Sequence, residues 1–393
     1  MPAATYLSAK RGLFGLLLTL LLLPAVQTWL NIKFLRPSLG GYEASVPRPA
    51  WHWDSLRAGV YQDRLERYAA GHLGLREQLI RPRNQLAYSL FGRSNNQQII
   101  IGRDGALFEA STIAPALGQT PPVPPAELRQ RVQQFRRLQD TLARRGKLLV
   151  LAVPPSKAGL YPELLPAAYR PAWQDSSNYQ RYVAALQAAG VNFVDFVPLF
   201  RRWKAAAPYP LFPRGGTHWS GYGVVRAADT LFRYLDRRGR LGLRGFRVSG
   251  TAVSTTPRYT DSDIAKALNL LWDPAPWPLA YPTVAFAPLR PGQPRPRLLL
   301  VGDSFGWGFI EFYPFVPELF APDSHFWYYN HEVEWTGATP NHHVAPEQYE
   351  VRGLDRRAQL AAHDVVLVLV NEANLGSFDL GFSADMLQAL GAP

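Results

Sequence analysis

The sequence predicts an α/β protein with a mainly parallel sheet of about five strands, preceded by an N-terminal membrane anchor helix. Two observations carry that class. Amphipathic helical stretches alternate with short, continuously apolar runs, the pattern of strands buried on both faces of a sheet. A separate leucine-rich run, residues 13–30, stands at the N-terminus with no polar face. The chain has 393 residues, 47% hydrophobic and 18% charged, a globular make-up that excludes disordered and fibrous classes.

Residues 13–30 carry only Thr19, Gln27 and Thr28 as polar side chains and follow the positive pair Lys10 and Arg11. A run of that length is close to the minimum that spans a bilayer. The exit offers Ala25 but no small-x-small cleavage pattern, so an uncleaved signal anchor is expected. Lys33 and Arg36 lie on the far side and reduce the charge bias; the expected orientation places the rest of the chain outside. The expected division is 1–36 signal anchor, 37–125 helical lead-in and β-hairpin, and 126–393 catalytic-type domain.

Leu56, Val60, Leu65, Tyr68, Leu73 and Leu79 recur at roughly helical spacing and predict a helix over 54–80. Residues 99–108 read as a hairpin through the turn Gly102-Arg103-Asp104-Gly105. Leu128, Val132, Phe135, Leu138 and Leu142 mark one face of a helix that ends near Gly146 and feeds an apolar strand over 147–153. The unit recurs as a helix over 178–189 with a strand over 191–194, then a helix over 220–237. Two further buried strands are expected at 297–301 and 364–370. The proline clusters at 121–125 and 274–296 read as loops.

Net charge is +12, from 42 basic and 30 acidic residues, and only six of the basic ones are Lys. An acidic partner follows: nucleic acid, an anionic polysaccharide or an anionic membrane surface, with an arginine-rich genome as the plain alternative. No zinc-finger, RNP-like or basic-helix signature is present, so no nucleic acid partner is expected. The absence of Cys excludes disulfides, thiolate metal sites and Cys nucleophiles, and leaves the redox compartment open. No His or carboxylate cluster has zinc-site spacing, and neither metal nor cofactor is expected.

Ligands of such sheets bind beyond the carboxyl ends of the strands. There the strand ending at Val301 runs into Gly302-Asp303-Ser304-Phe305, a sharp turn in which Ser304 can stand exposed with its own N–H available to an oxyanion. Ser304 is the nucleophile candidate, a helix N-cap being the plain alternative. A Ser nucleophile needs a base. His218, in Gly216-Thr217-His218-Trp219-Ser220-Gly221-Tyr222-Gly223, is the candidate, since Trp219 and the glycine-rich approach suit a fixed ring in a tight turn. Its plain alternative is a surface or capping histidine. His342 and His343 lie in a polar stretch and read as surface.

Together these strings resemble the SGNH-hydrolase-like O-acetyltransferases of the alginate acetylation type (AlgJ/AlgX-like). The resemblance extends to residues 101–108, to Val153-Pro154-Pro155-Ser156-Lys157-Ala158-Gly159-Leu160-Tyr161-Pro162-Glu163, and to Val194-Asp195-Phe196-Val197-Pro198-Leu199. It implies an SGNH-like three-layer sandwich. It also implies an enzyme that moves acetyl groups to an exopolysaccharide through acetyl-Ser304, supplied by a membrane-bound O-acyltransferase partner. Its place would be the inner membrane, single-pass, with the catalytic-type domain in the periplasm. A glycan O-acetylesterase is the alternative. The family's motif carries Asp two residues before His, where this chain has Gly216. Three readings stay open: another acid such as Glu372 substitutes, Ser304 and His218 act as a dyad, or the chain is a catalytically impaired glycan-binding or scaffold member. Asp303 is expected to serve the turn, Asn371 is a second oxyanion candidate, and Lys157 and Trp219 are candidate substrate contacts, with loop capping as the alternative for Lys157.

Overall fold

The structure, a computed structural model, describes residues 3–30, 39–41, 46–169, 177–333, 335–336, 339–340 and 350–391. The chain forms two compact units: Met1–Asn96 with Ala265–Asp273, and Gln97–Ile264 with Pro274–Pro393.

The second unit is built on a six-stranded sheet. Its strands are Leu148–Val153 (β3), Phe193–Asp195 (β4), Leu298–Gly302 (β7), His325–Tyr328 (β8), His331–Val333 (β9) and Val365–Leu369 (β12), in the order β4-β3-β12-β7-β8-β9. The first five are parallel and β9 closes the edge antiparallel to β8. The runs LLVLAV and VVLVL form the middle because they are apolar at both strand phases and can be covered on both sides. Val150, Ala152, Leu298, Leu300, Val365 and Leu367 face one core, against the helices Phe196–Ala206 and Gly221–Gly239. Leu149, Leu151, Leu299, Val301, Val366 and Val368 face the other, against Pro125–Ala143, Asn178–Ala188 and Phe382–Ala389. The result is the expected three-layer sandwich. β8 escapes a reading of the sequence because His325 and Tyr328 bound a two-residue apolar centre, too short to register as a buried strand.

The hairpin Ile99–Ile101 (β1) with Leu107–Glu109 (β2) forms through a turn in which Asp104 and Gly105 both have positive φ. It belongs to the sheet unit, where Phe108, Ile113 and Leu117 pack with Ala158 and Leu165, so the compact units divide near residue 96 rather than 125. The stretch 274–296, expected to be loop, contains Leu279–Phe286 (β6), antiparallel to Phe246–Ser254 (β5). Pro282 misleads here: in a two-stranded ribbon both strands are edges, and an edge strand tolerates the missing N–H. A last two-residue pair joins Trp335–Thr336 (β10) to Thr339–Pro340 (β11).

The first unit contains Ala3–Leu30 (α1), whose segment Lys10–Leu30 is long and apolar enough to cross a membrane. The single helix expected over 54–80 is three: Trp53–Arg57 (α2), Val60–His72 (α3) and Arg76–Phe91 (α4). Gly59 and Leu75, both at left-handed φ, break it. Val60, Leu65, Leu73 and Leu79, whose spacing predicted the helix, are exposed.

Candidate active site

β7 delivers Ser304. A Cβ at Gly302 would run into the Leu369 carbonyl of β12, so only glycine lets the strand turn there. Asp303 then caps the 3-10 helix Ser304–Phe309: its Oδ1 accepts from the Phe305 N–H at 3.1 Å, and its Oδ2 from the Asn371 N–H at 2.7 Å and Asn374 Nδ2 at 2.9 Å. Burial pushes this carboxyl up, and the three donors pull it back. Asp303 is the clasp of the turn. Ser304 is left half-buried at the tip. Among the described residues its N–H has no backbone acceptor, so the donor stays available to a developing oxyanion.

The loop before the helix Gly221–Gly239 delivers His218. Ser220 caps that helix, its Oγ accepting from the Gly223 N–H at 3.2 Å and donating to the Pro210 carbonyl at 2.7 Å. Trp219 is fully buried among Phe196, Phe200, Phe305 and Phe309. With its neighbours locked, the His218 ring is held with Nε2 2.7 Å from Ser304 Oγ and Nδ1 2.6 Å from Asp263 Oδ2. Asp263 Oδ1 accepts from the N–H groups of Thr217 at 3.0 Å and Ile264 at 2.7 Å, so the carboxylate is fixed to the loop it serves. This network assigns the proton to Nδ1 and leaves Nε2 to accept from the serine. Burial works to lower the His218 pKa, but the hydrogen bond and charge of Asp263 outweigh it and the net shift is upward.

The acid therefore meets the imidazole from outside the motif, and the structure corrects the reading that looked to Glu372 or to a bare dyad. Glu372 follows β12 but faces away: its Oε1 accepts from the N–H and Oγ of Ser156, both at 2.8 Å. Burial raises it to about 7. It borders a cleft of about 530 Å³ with Gly159, Tyr179, Arg201 and Lys204, whose lining includes neither Ser304 nor His218. Gly216 has no room for the family's Asp, since a Cβ there would strike the Thr260 carbonyl and lie 2.9 Å from Pro213 Cγ. The segment that excludes a side chain at 216 is the one that brings Asp263.

Three other expected roles change. Asn371 is no oxyanion donor, because its Nδ2 is spent on the carbonyls of Pro154 and Pro155 at 3.3 and 2.9 Å and its Oδ1 accepts from the Ala373 N–H. Trp219 is a core residue rather than a substrate contact. Lys157 is buried, with Nζ donating to the carbonyls of Leu107, Pro213, Arg214 and Gly216 at 2.6 to 3.0 Å. It ties down the loop that leads to His218, and the loop-capping alternative describes it. His342 and His343 lie outside the described residues. Tyr329, at the β8–β9 turn with φ 46°, stands beside Ser304, a neighbour that no motif announces.

Comparison with known proteins meets this geometry. The family model described as "SGNH hydrolase-like domain, acetyltransferase AlgX" matches residues 99–319, a stretch containing Lys157, His218, Asp263 and Ser304. "Probable alginate O-acetylase AlgJ" of Pseudomonas aeruginosa is 31% identical over 245 residues, 57% of this chain and 60% of that protein. Its namesake in Pseudomonas putida is 31% identical over 145 residues, 36% of this chain and 35% of that protein. The matches thus span 60% or less of the length of these curated relatives. Among solved structures, the O-acetyltransferase domain of Pseudomonas putida AlgJ aligns with 74% of this chain and 99% of its own, at 25% identity and a TM-score of 0.47.

Proposed function

Since the chain belongs to the family of the SGNH hydrolase-like acetyltransferase AlgX, we propose that it transfers acetyl groups to hydroxyls of an extracytoplasmic polysaccharide through acetyl-Ser304. Ser304 is the nucleophile, His218 the general base and acid, and Asp263 the carboxylate that orients the imidazole. The observation that carries this reading is the unbroken relay from Asp263 Oδ2 to His218 Nδ1 and from Nε2 to Ser304 Oγ, at 2.6 and 2.7 Å.

Ser304 Oγ attacks the carbonyl carbon of an acetyl donor while its proton passes to Nε2. The oxyanion forms beside the Ser304 N–H, in the strand-to-helix turn that Asp303 holds rigid. As the tetrahedral species collapses, the leaving group takes the proton from His218 and acetyl-Ser304 remains. A sugar hydroxyl then gives its proton to Nε2, attacks the acyl carbon, and restores Ser304 with that proton. Asp263 holds the Nδ1 tautomer and stabilises the imidazolium in both halves. The acetyl donor is a membrane-bound O-acyltransferase partner, and α1 anchors the chain in the inner membrane with the catalytic unit in the periplasm. The glycan-binding reading drew its support from Gly216 and from the arginine excess, and a carboxylate at Nδ1 speaks against the first of these grounds.

The test is acylation of the full chain by an activated acetyl ester. An acetyl mass increment is expected on the peptide containing Ser304, absent from Ser304→Ala. Folded wild-type protein that forms no adduct would end the covalent mechanism. Transfer of the label to an added oligosaccharide, rather than its release as acetate, separates transferase from esterase.

A further inference from the structure

The helix α4 is built inside out. Three of its polar side chains turn inward within the first unit: Arg81 Nη1 donates to the Leu270 carbonyl at 3.0 Å and Asn84 Nδ2 to the Leu268 carbonyl at 2.9 Å. The buried Gln85 accepts through Oε1 from the N–H groups of Leu271 and Trp272 at 3.2 and 3.4 Å. The leucines face the other way. Leu79, Leu86 and Leu90, spaced to fall on one stripe of a helix, are 57%, 58% and 68% exposed, and Phe91, Leu271 and Trp272 of the same unit are exposed at 69%, 51% and 65%. A row of exposed leucines of this kind, with the exposed Arg83 among them, marks a face that something covers.

The unit itself indicates the cover. Gly74 N–H donates to Thr28 Oγ1 at 2.7 Å and Leu75 N–H to Gln27 Oε1 at 3.2 Å, so the entry to α4 is fastened to the last turns of the apolar helix α1. The leucines of α1 are exposed as well. Trp29, Trp51 and Trp53 stand exposed on the same unit, and Trp is the residue favoured at headgroup level. Residues 46–96 contain eight Arg against four carboxylates, the sign that suits anionic headgroups. We infer that α4 lies with its leucine stripe in the headgroup–acyl boundary of an anionic bilayer as an interfacial helix. This rests on the reading of α1 as a membrane anchor.

The chain has no Cys, so single replacements report one position each. Leu86→Cys, Leu90→Cys and Leu18→Cys in the full chain, labelled with bimane, are reconstituted into phosphatidylcholine–phosphatidylglycerol vesicles. The vesicles carry a nitroxide lipid either about 5–10 Å below the headgroups, the depth of an interfacial helix, or near the bilayer centre. Positions 86 and 90 are expected to lose emission to the shallow nitroxide and to be shielded from aqueous iodide, and position 18 to lose it to the deep one. Iodide quenching at 86 and 90 with position 18 quenched by the deep nitroxide overturns the interfacial helix and leaves the anchor standing. Iodide quenching at position 18 overturns the anchor itself. Labels at 86 and 90 shielded from both iodide and nitroxide, with Leu86→Cys chains forming disulfide-linked pairs, would show a second copy as the cover and refute the lipid.

Discussion

Asp263 reaches His218 from 45 positions downstream, its Oδ2 2.6 Å from Nδ1, while its Oδ1 accepts from the N–H of Thr217 beside that histidine. Replacing it by Asn keeps the volume but removes the charge and presents a donor to a ring nitrogen that must itself donate. Asp263→Asn is expected to cut acetyl-ester turnover roughly 10³- to 10⁴-fold, as the loss of a triad carboxylate does. Steady-state kinetics beside thermal unfolding checks this, and a loss under tenfold in folded protein would remove Asp263 from the mechanism.

The same contact sets the pH dependence. Nε2 must be neutral to accept the serine proton, and Asp263 favours the charged imidazolium enough to raise the His218 pKa despite burial. Activity therefore rises with pH, with a midpoint above the ordinary histidine value of about 6.5. In the residual activity of Asp263→Asn the midpoint is expected to move down. A pH profile of kcat/KM for both proteins decides it; a wild-type midpoint below 6 would contradict the assignment.

Restoring the family's acid at its usual place is expected to fail. The Cβ of Gly216→Asp would press on the Thr260 carbonyl, in the segment that carries Asp263, so the variant disturbs the carboxylate it was meant to supply. Lower turnover and a lower Tm than wild type are expected, and no rescue of Asp263→Asn in the double variant. Rescue would show that the loop accommodates both acids.

How far the sequence discloses this site follows from which signals are local. Gly302-Asp303-Ser304 and His218-Trp219 are legible because a strand-to-helix turn and a capped, Trp-flanked loop are written in adjacent residues, and the apolar runs of β3, β7 and β12 disclose the sheet the same way. Asp263 is not legible. It sits near a second acid, Asp261, that is committed to the Tyr281 hydroxyl at 2.6 Å, and nothing in the string distinguishes the two until the fold sets Thr260 against Gly216. Glu372 misleads for the converse reason: the end of a central strand is the right place for an acid, but the Ser156 N–H and hydroxyl claim it. The apolar residues on α3 and α4 have helical spacing, and periodicity shows that a face is apolar without saying what covers it.

Glu372→Gln separates structure from catalysis. Its carboxyl titrates near 7 in the fold, against 4.5 ordinarily, because burial outweighs the two Ser156 donors. Between those values the native state holds a proton that the unfolded chain has released, so stability is full below about 4.5 and declines as pH rises to about 7, by on the order of 3 kcal/mol. The amide keeps an acceptor for Ser156 and does not titrate. Denaturant unfolding at pH 4.5 and 8 is expected to show the decline in wild type and its loss in the variant, with acetyl-Ser304 formation unaltered. A collapse of acylation in folded Glu372→Gln would return Glu372 to the catalytic site.

Lys157 tests whether the site depends on a buried cation that never meets the substrate. Burial lowers its pKa to about 7, yet Nζ gathers four carbonyls, three of them from Pro213, Arg214 and Gly216 on the approach to His218. Lys157→Met preserves much of the apolar stem and strands the Pro213 and Gly216 carbonyls, that of Arg214 keeping the Leu107 N–H at 2.9 Å, at a cost on the order of 3 kcal/mol when each buried unsatisfied group loses roughly 1–3 kcal/mol and the loop partly relaxes. A residue that bound an acidic glycan would raise KM and leave the adduct with a small acetyl ester intact. A residue that positions the loop lowers the acylation rate toward that small ester as well, because the His218 ring loses its fixed distance to Ser304, and it lowers Tm at the same time. The second pattern is expected, and a variant of unchanged Tm with only KM raised on polysaccharide would restore Lys157 as a substrate contact.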